Sequence, residues 1–455
     1  MLTSFNTSTH EEEDEQETHA NQRTRLDVVC RNRNIDSRHA AAAAAAFVIS
    51  QSDRNTQVDV NVDVDEDTSL RLLLNCANLI HQSDFTAARR LLSVVSTNTS
   101  AQPPELSGAD RVAQQFASAL SIRLNHLSLS FSLQPPPSQP NPDDLQSCYL
   151  SLNKITPFLR FCHLTANQAI LEAVDRRQPL HILDFDTMHG VQWPPLMHAI
   201  AERADPNQPP SLRITGTGTD LDILRRTGER LKTFADTLGL RFQFHPLLLI
   251  PPNRIGTGSS TLSASCTQNI SPSTFQLHPG ETLAVNCVLF LHTLLKDNGD
   301  DDEVRSFLQA IKTMNPAVVT IAEREASHNS SRFLQRFMEA LEHYAAIFDT
   351  LEATLPPNNY ERLLLENIWF GREIADIVAG EGRCRQERHE RFDRWEHLMK
   401  TSDFTSVPSS PFALSQAKLL LRLHYPSEGY QLQMIKDSLF LGWKTNPLFS
   451  VSSWH

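Results

Sequence analysis

The amino-acid sequence predicts an α/β protein in which a mostly parallel sheet carries an α-helical cap, behind a disordered N-terminal tail. Three observations predict it. Leucines recur at helical spacing between about 70 and 174, short apolar runs alternate with helical segments from 179 to about 323, and the first 68 residues lack the apolar content of a core. At 455 residues the chain has room for two or three lobes around a sizeable core.

The tail, 1–68, holds an acid run at 11–17, a poly-alanine tract at 40–46 and alternating valine and aspartate at 58–67. So little apolar surface cannot offset the entropy of ordering the chain, so disorder is expected, as a spacer or as an acidic arm that docks onto partners. Residues 1–69 contain six arginines, no lysine and fourteen acidic residues, a net charge of −8. The whole chain sets 41 Lys and Arg against 53 Asp and Glu, a net of −12, so most of its acidity lies in the tail. A surface made for nonspecific nucleic-acid binding needs the opposite excess. Seven cysteines, an odd number without one CxxC pair, speak against a disulfide framework or a thiolate zinc site and fit a reducing compartment. The N-terminus shows no basic segment leading into an apolar one, and the apolar run at 40–49 is too short to cross a bilayer. A soluble, non-secreted chain without membrane contact is expected.

From Leu70 the helical period begins, with Leu73, Leu74, Ala77 and Ile80 on one stripe, and Ser83 or Asp84 able to cap a second helix through Val95. A third spans 109–129, with Val112, Phe116, Leu120 and Leu124 on one face, before a Pro-rich break at 134–142. Residues 145–174 read as helix with a kink or boundary at Pro157. These leucine stripes serve either as core or as partner surface. After Pro179 the period shifts. Strands are expected at 181–186, 212–216, 241–246, 281–290 and 317–323, with helices from Pro194 and over 221–238, and a Ser/Gly/Thr-rich loop at 253–273. Alternating strands and helices imply parallel pairing with right-handed crossovers. Strands at 430–435 and 438–443, parted by Lys436-Asp437, and a last one at 448–454 suggest an antiparallel addition at the sheet end, as in methyltransferase-like folds.

A dinucleotide or S-adenosylmethionine site requires a glycine-rich turn after the first strand. Here that turn is Thr187-Met188-His189-Gly190-Val191-Gln192-Trp193-Pro194, with one glycine and bulky neighbours. Gly216 and Gly218 follow the second strand instead and read as turn glycines. No GxSxG elbow, HExxH or P-loop occurs. Asp184, Asp186 and His189 can form an acid/base pair, hold a metal, or pin their own loop by hydrogen bonds. Residues 383–394 interleave Glu and Arg, which at helical spacing describes a solvated, ion-paired face. Leu291-His292-Thr293-Leu294-Leu295 matches the LxxLL pattern of helix-in-groove recognition, and equally a helix start packed after a buried strand.

His181-Ile182-Leu183-Asp184-Phe185-Asp186, with Gly190-Val191-Gln192-Trp193-Pro194, resembles the VHIID motif that defines the GRAS family of plant transcriptional regulators. The leucine-rich segments at about 70–175 and 221–250 resemble its two heptad regions. Pro316, Tyr344, Phe348-Asp349 and Arg372-Glu373 resemble its PFYRE motif, and Arg385, Glu387 and Arg388 its RVER element. Arg391 followed by Glu396, and Trp443 followed by Trp454, resemble its SAW motif, whose first tryptophan is Trp395. Residues 213–218 and 242–246 are most similar to the lateral-suppressor (scarecrow-like) branch. Two departures stand out: His189 where many members carry Gln, and Asp403 where the SAW motif usually carries Gly, a residue that marks a backbone others strain to adopt.

The resemblance implies a GRAS domain over 69–455: a helical cap at about 70–175, a Rossmann-like core with the VHIID motif and second leucine-rich region at 179–330, the PFYRE region at 331–390 and the SAW region at 391–455. It implies a nuclear regulator without cofactor, catalytic or metal residues. Such a protein works through DNA-binding transcription factors and other regulators, touching DNA weakly or indirectly, and associates as homodimer or heterodimer. In the lateral-suppressor branch it implies a role in axillary meristem initiation. Leu73, Leu74 and Phe116 in the cap, and Leu291, Leu294 and Leu295, are the candidate partner-binding side chains. The alternative is a methyltransferase-like enzyme using S-adenosylmethionine, against which the glycine-poor loop speaks.

Overall fold

The computed structural model describes residues 66–98, 107–128, 142–174, 178–203, 210–249, 270–296 and 299–455. The tail through residue 65, the Pro-rich stretch through 141 and the Ser/Gly/Thr-rich stretch through 269 lie outside these residues. The cap is made of α1 (Glu66–His81), α2 (Phe85–Asn98), α3 (Gly108–Ser128), α4 (Pro142–Ile155) and α5 (Phe158–Ala173). Asp84 rather than Ser83 caps α2: its Oδ1 accepts from the Ala87 amide at 3.0 Å, while Ser83 turns the chain at φ 64°. Pro157 divides the expected 145–174 segment into two helices.

The core alternates as expected: β1 (Leu180–Phe185), α6 (Trp193–Glu202), β2 (Ser211–Gly218), α7 (Leu221–Thr237), β3 (Arg241–Leu248), β4 (Thr282–Val288), α8 (Asp302–Thr313) and β5 (Val318–Arg324). There follow α9 (Phe333–Thr354), α10 (Tyr360–Leu364), a π-helical turn (Leu365–Phe370), α11 (Gly371–Ala379), α12 (Phe392–Thr401), the two-residue β6 (Ser406–Val407) and α13 (Pro411–His424). The chain closes with β7 (Tyr430–Ile435), β8 (Ser438–Trp443) and β9 (Asn446–Trp454). The sheet order is β3-β2-β1-β4-β5-β9-β8-β7, parallel through β5 and antiparallel from β9 on, with β6 pairing β9 on the side. This is the Rossmann-like, methyltransferase-like order that the sequence predicts. Every residue of β1 is buried, as a central strand covered on both faces must be.

Three expectations are corrected. Leu73 and Phe116 are fully buried in the cap's own core, where the Phe116 ring meets Phe337 of α9 edge-on at 5.5 Å, and Leu74 is half-buried. The LxxLL stretch is a single 3-10 turn, Leu291–Leu294, with Leu291, Leu294 and Leu295 buried against the sheet and α8. A stripe at helical spacing looks the same whether it meets a partner or the chain's own α9, so spacing alone could not separate the two. Gly216 and Gly218 lie inside β2; a Cβ on Gly216 would sit 2.5 Å from Phe244, so this glycine serves close packing instead of a turn.

Candidate functional site: a filled strand-end crevice and a buried polar hub

In a doubly wound sheet ligands settle where the strand order reverses, here between β1 and β4. The crevice there is filled by the chain's own side chains. Trp193, at the start of α6, donates from Nε1 to Asp184 Oδ2 at 2.8 Å, and Asn286 of β4 donates to Asp184 Oδ1 at 2.8 Å. Gln192 Nε2 reaches Asn286 Oδ1 at 3.0 Å and Asn167 Oδ1 of α5 at 3.1 Å, and Thr320 of β5 donates to Asn286 Oδ1 at 2.9 Å. All six side chains are buried, so each polar group needs the partner it has. Burial raises the Asp184 carboxyl to about 6, against the opposing pull of the Asn286 and Trp193 donors.

The loop joining these residues is tightly wound. Asp186, Met188 and Gly190 all have positive φ, of 65°, 50° and 64°, and a Cβ on Gly190 would lie 2.7 Å from Thr227 of α7. Of the three readings open for Asp184, Asp186 and His189, pinning of the loop is the one this geometry carries. The Asp184 carboxylate points to Trp193 and Asn286, the Asp186 amide donates to Thr217 Oγ1 at 3.1 Å, and the His189 ring packs on Tyr149 at 5.7 Å while its carbonyl accepts from Arg230. His181, at the opposite end of β1, is hydrogen-bonded through Nε2 to Thr215 Oγ1 at 2.9 Å, and burial lowers its pKa to about 3. Ile182 lies fully buried in β1, and Pro194 follows Trp193 in the first turn of α6.

The remaining motif positions converge on a second neighbourhood, at the end of β5. Arg324 donates to Glu373 Oε1 at 2.7 Å, and the Tyr344 hydroxyl to Glu373 Oε2 at 3.0 Å, which joins β5, α9 and α11. Arg372 lies 3.7 Å from Glu387 Oε1. Glu387 belongs to the segment expected to be a solvated helical face; that expectation is corrected. Residues 385–391 lie outside any helix or strand, with Arg385, Glu387, Arg388 and His389 buried, Arg385 donating to the carbonyls of His328, Asn329 and Ser330, and Arg388 to the Gly382 carbonyl and Asn329 Oδ1. Guanidinium groups can be buried this way because several carbonyls together satisfy their fixed fork of donors, which charge patterning does not reveal. His292 Nδ1 lies 2.9 Å from Glu323 Oε2 and its Nε2 3.4 Å from Glu387 Oε2. Burial opposes charge on this ring, but Glu323 and Glu387 outweigh it and hold its pKa up at about 9. His389 Nδ1 meets His328 Nδ1 at 3.0 Å, and burial lowers the His328 pKa to about 3.

Other motif positions tie outer elements to this hub. Trp443 Nε1 donates to Asp349 Oδ2 at 2.7 Å, linking β8 to α9, beside the buried Phe348. Trp395 donates to the Glu390 carbonyl at 3.0 Å, Trp454 to Ser452 Oγ at 2.9 Å, and Arg391 to Glu339 at 2.7 Å on the surface. Glu396 pairs with Lys400 and Lys436, and Pro316 lies buried in the turn before β5. Sequence reasoning missed Asn286, Thr320, Asn167, Glu323, Arg324 and His328. For Asn286 a signal existed: one amide inside the otherwise apolar Thr282–Val288 has to be hydrogen-bonded to be buried.

Arginines of α7 and α12 are likewise engaged within the chain. Arg225 pairs with Asp222 at 3.2 Å, Arg394 with Asp301, and Arg230 with His189 and Thr227. No helix among the described residues is long and apolar enough to cross a membrane.

Comparison with known proteins follows the same lines. The model of the GRAS domain family matches residues 69–455. Scarecrow-like protein 18 of Arabidopsis thaliana is 50% identical over 418 residues, covering 84% of this chain and 90% of that protein. Protein MONOCULM 1 of Oryza sativa subsp. japonica is 46% identical over 400 residues, covering 84% and 87%. The crystal structure of SCL7 from Oryza sativa superposes with a TM-score of 0.68 at 34% identity, covering 85% of this chain and 99% of that one.

Proposed function

The chain belongs to the GRAS domain family, and from that premise we propose that it regulates transcription in the plant nucleus by holding DNA-binding partners and other regulators. The observation that carries this reading is the filled crevice: where an enzyme of this sheet order needs room for a cofactor, Asp184, Trp193, Gln192 and Asn286 bond to one another. The resemblance to the lateral-suppressor branch, and the similarity to Scarecrow-like protein 18 and MONOCULM 1, support a role in shoot development, in axillary meristem initiation. A net charge of −12 and surface arginines paired with carboxylates support indirect contact with DNA.

The test is a tethering assay in plant cells. Fused to an unrelated DNA-binding domain, the full chain is expected to enter the nucleus and change transcription of a reporter bearing that domain's site. A fusion that stays outside the nucleus, or leaves the reporter unchanged in both directions, overturns the proposal.

A further inference from the structure

The buried hub holds an arrangement that the regulatory reading does not use. His292 follows β4, while Glu387 and His389 lie two residues apart in the segment before α12, and all three are buried. His292 Nε2 and His389 Nε2 each lie 3.4 Å from the same oxygen, Glu387 Oε2, and the three ligand atoms are within 4.8 Å of one another. Around a tetrahedral Zn²⁺ with ligands at about 2.0–2.1 Å, neighbouring ligand atoms stand roughly 3.4 Å apart. Two of the three separations already have that value, and the third is no more than 4.8 Å.

We propose that His292, Glu387 and His389 form a Zn²⁺ site. The outer groups are those such a site requires. The far nitrogen of each imidazole is held, His292 Nδ1 by Glu323 at 2.9 Å and His389 Nδ1 by His328 at 3.0 Å, which leaves Nε2 of both rings directed at Glu387. Glu387 meets Arg372 through its other oxygen, Oε1. The donor set of two nitrogens and one oxygen suits Zn²⁺ better than the all-oxygen cations. The ion would fasten the 385–391 segment to the turn after β4 and so set the hub that joins β5, α9 and α11.

The experiment uses the full chain, untagged and stripped of metal, titrated with Zn²⁺ in competition with a chromophoric chelator. One equivalent is expected to bind, absent from Glu387→Gln and His389→Asn, while Glu323→Gln weakens it by about 10- to 100-fold, as an outer carboxylate orienting a ligating histidine does. Zn²⁺ uptake equal in wild type and both ligand variants overturns the site as adventitious binding. If a variant fails to fold, the wild type decides alone: Co²⁺ is expected to give the intense visible bands of a tetrahedral site, displaced by one equivalent of Zn²⁺, and weak octahedral bands only overturn the proposal.

Discussion

The indole of Trp193 and the carboxylate of Asp184, nine residues apart and both buried, meet at 2.8 Å across the mouth of β1. This bond and the Asn286 bond beside it close the crevice in which a sheet of this order otherwise takes a ligand. A charge so deep costs stability, and its pH dependence follows. The folded chain holds the Asp184 proton up to about pH 6, whereas an unfolded aspartate loses it near 3.8. The stabilisation from that proton is therefore complete below about pH 4 and lost as pH rises through 6, a fall of up to about 3 kcal/mol at about 1.4 kcal/mol per unit. Chemical denaturation at pH values from 4 to 7 is expected to show the wild type losing up to about 3 kcal/mol more than Asp184→Asn, because Glu325 and Glu366, also raised by burial to about 7, titrate in both. A difference between the two that stays constant with pH contradicts it.

Asp403 sits just beyond α12 with φ 64°, where its amide and that of Phe404 cap the helix by bonding back to Lys400 and Met399. The family's usual glycine suits that left-handed turn, so Asp403→Gly is expected to stabilise by about 0.5–1 kcal/mol, after the glycine's added freedom in the unfolded chain is set against the relieved strain. The midpoint of urea unfolding reads this directly. A lower midpoint contradicts the assignment of the turn.

Trp454, next to the last residue, is 1% exposed. A chain end normally frays, but β9 is paired on both sides, Trp454 standing opposite Val319 of β5 and Ser406 of β6. Trp454→Ala is expected to cost about 3–5 kcal/mol, the usual loss for a large aromatic side chain removed from a core. Unchanged thermal stability would show that the tryptophan's burial contributes little.

How much of this was legible in the sequence depended on periodicity. The strands of the core and the cap helices announced themselves through apolar spacing, and Pro157, Gly190 and Lys436-Asp437 marked real boundaries or turns. The buried charge hub did not, because Arg324, Arg385, Arg388 and Glu373 look in sequence like any solvated charge. What buries them is the convergence of His328, Asn329, Ser330 and Tyr344 from distant segments. The cap leucines failed in the opposite way, since nothing local reveals that α9 covers Phe116.

If the crevice is filled, S-adenosylmethionine has no place to enter without breaking the Trp193–Asp184 and Gln192–Asn286 bonds. Titration calorimetry of the full chain with S-adenosylmethionine is expected to give no binding heat, and a micromolar dissociation constant would revive the enzyme reading.

The central claim is that this chain reaches genes through protein partners instead of its own cations. Its most direct test is equilibrium binding of the purified full chain to promoter DNA at about 150 mM salt, with and without a DNA-binding partner. Specific binding is expected only when the partner is present. Sequence-specific binding by the chain alone at about 10⁻⁸ M or tighter, the range of dedicated DNA-binding proteins, would contradict it.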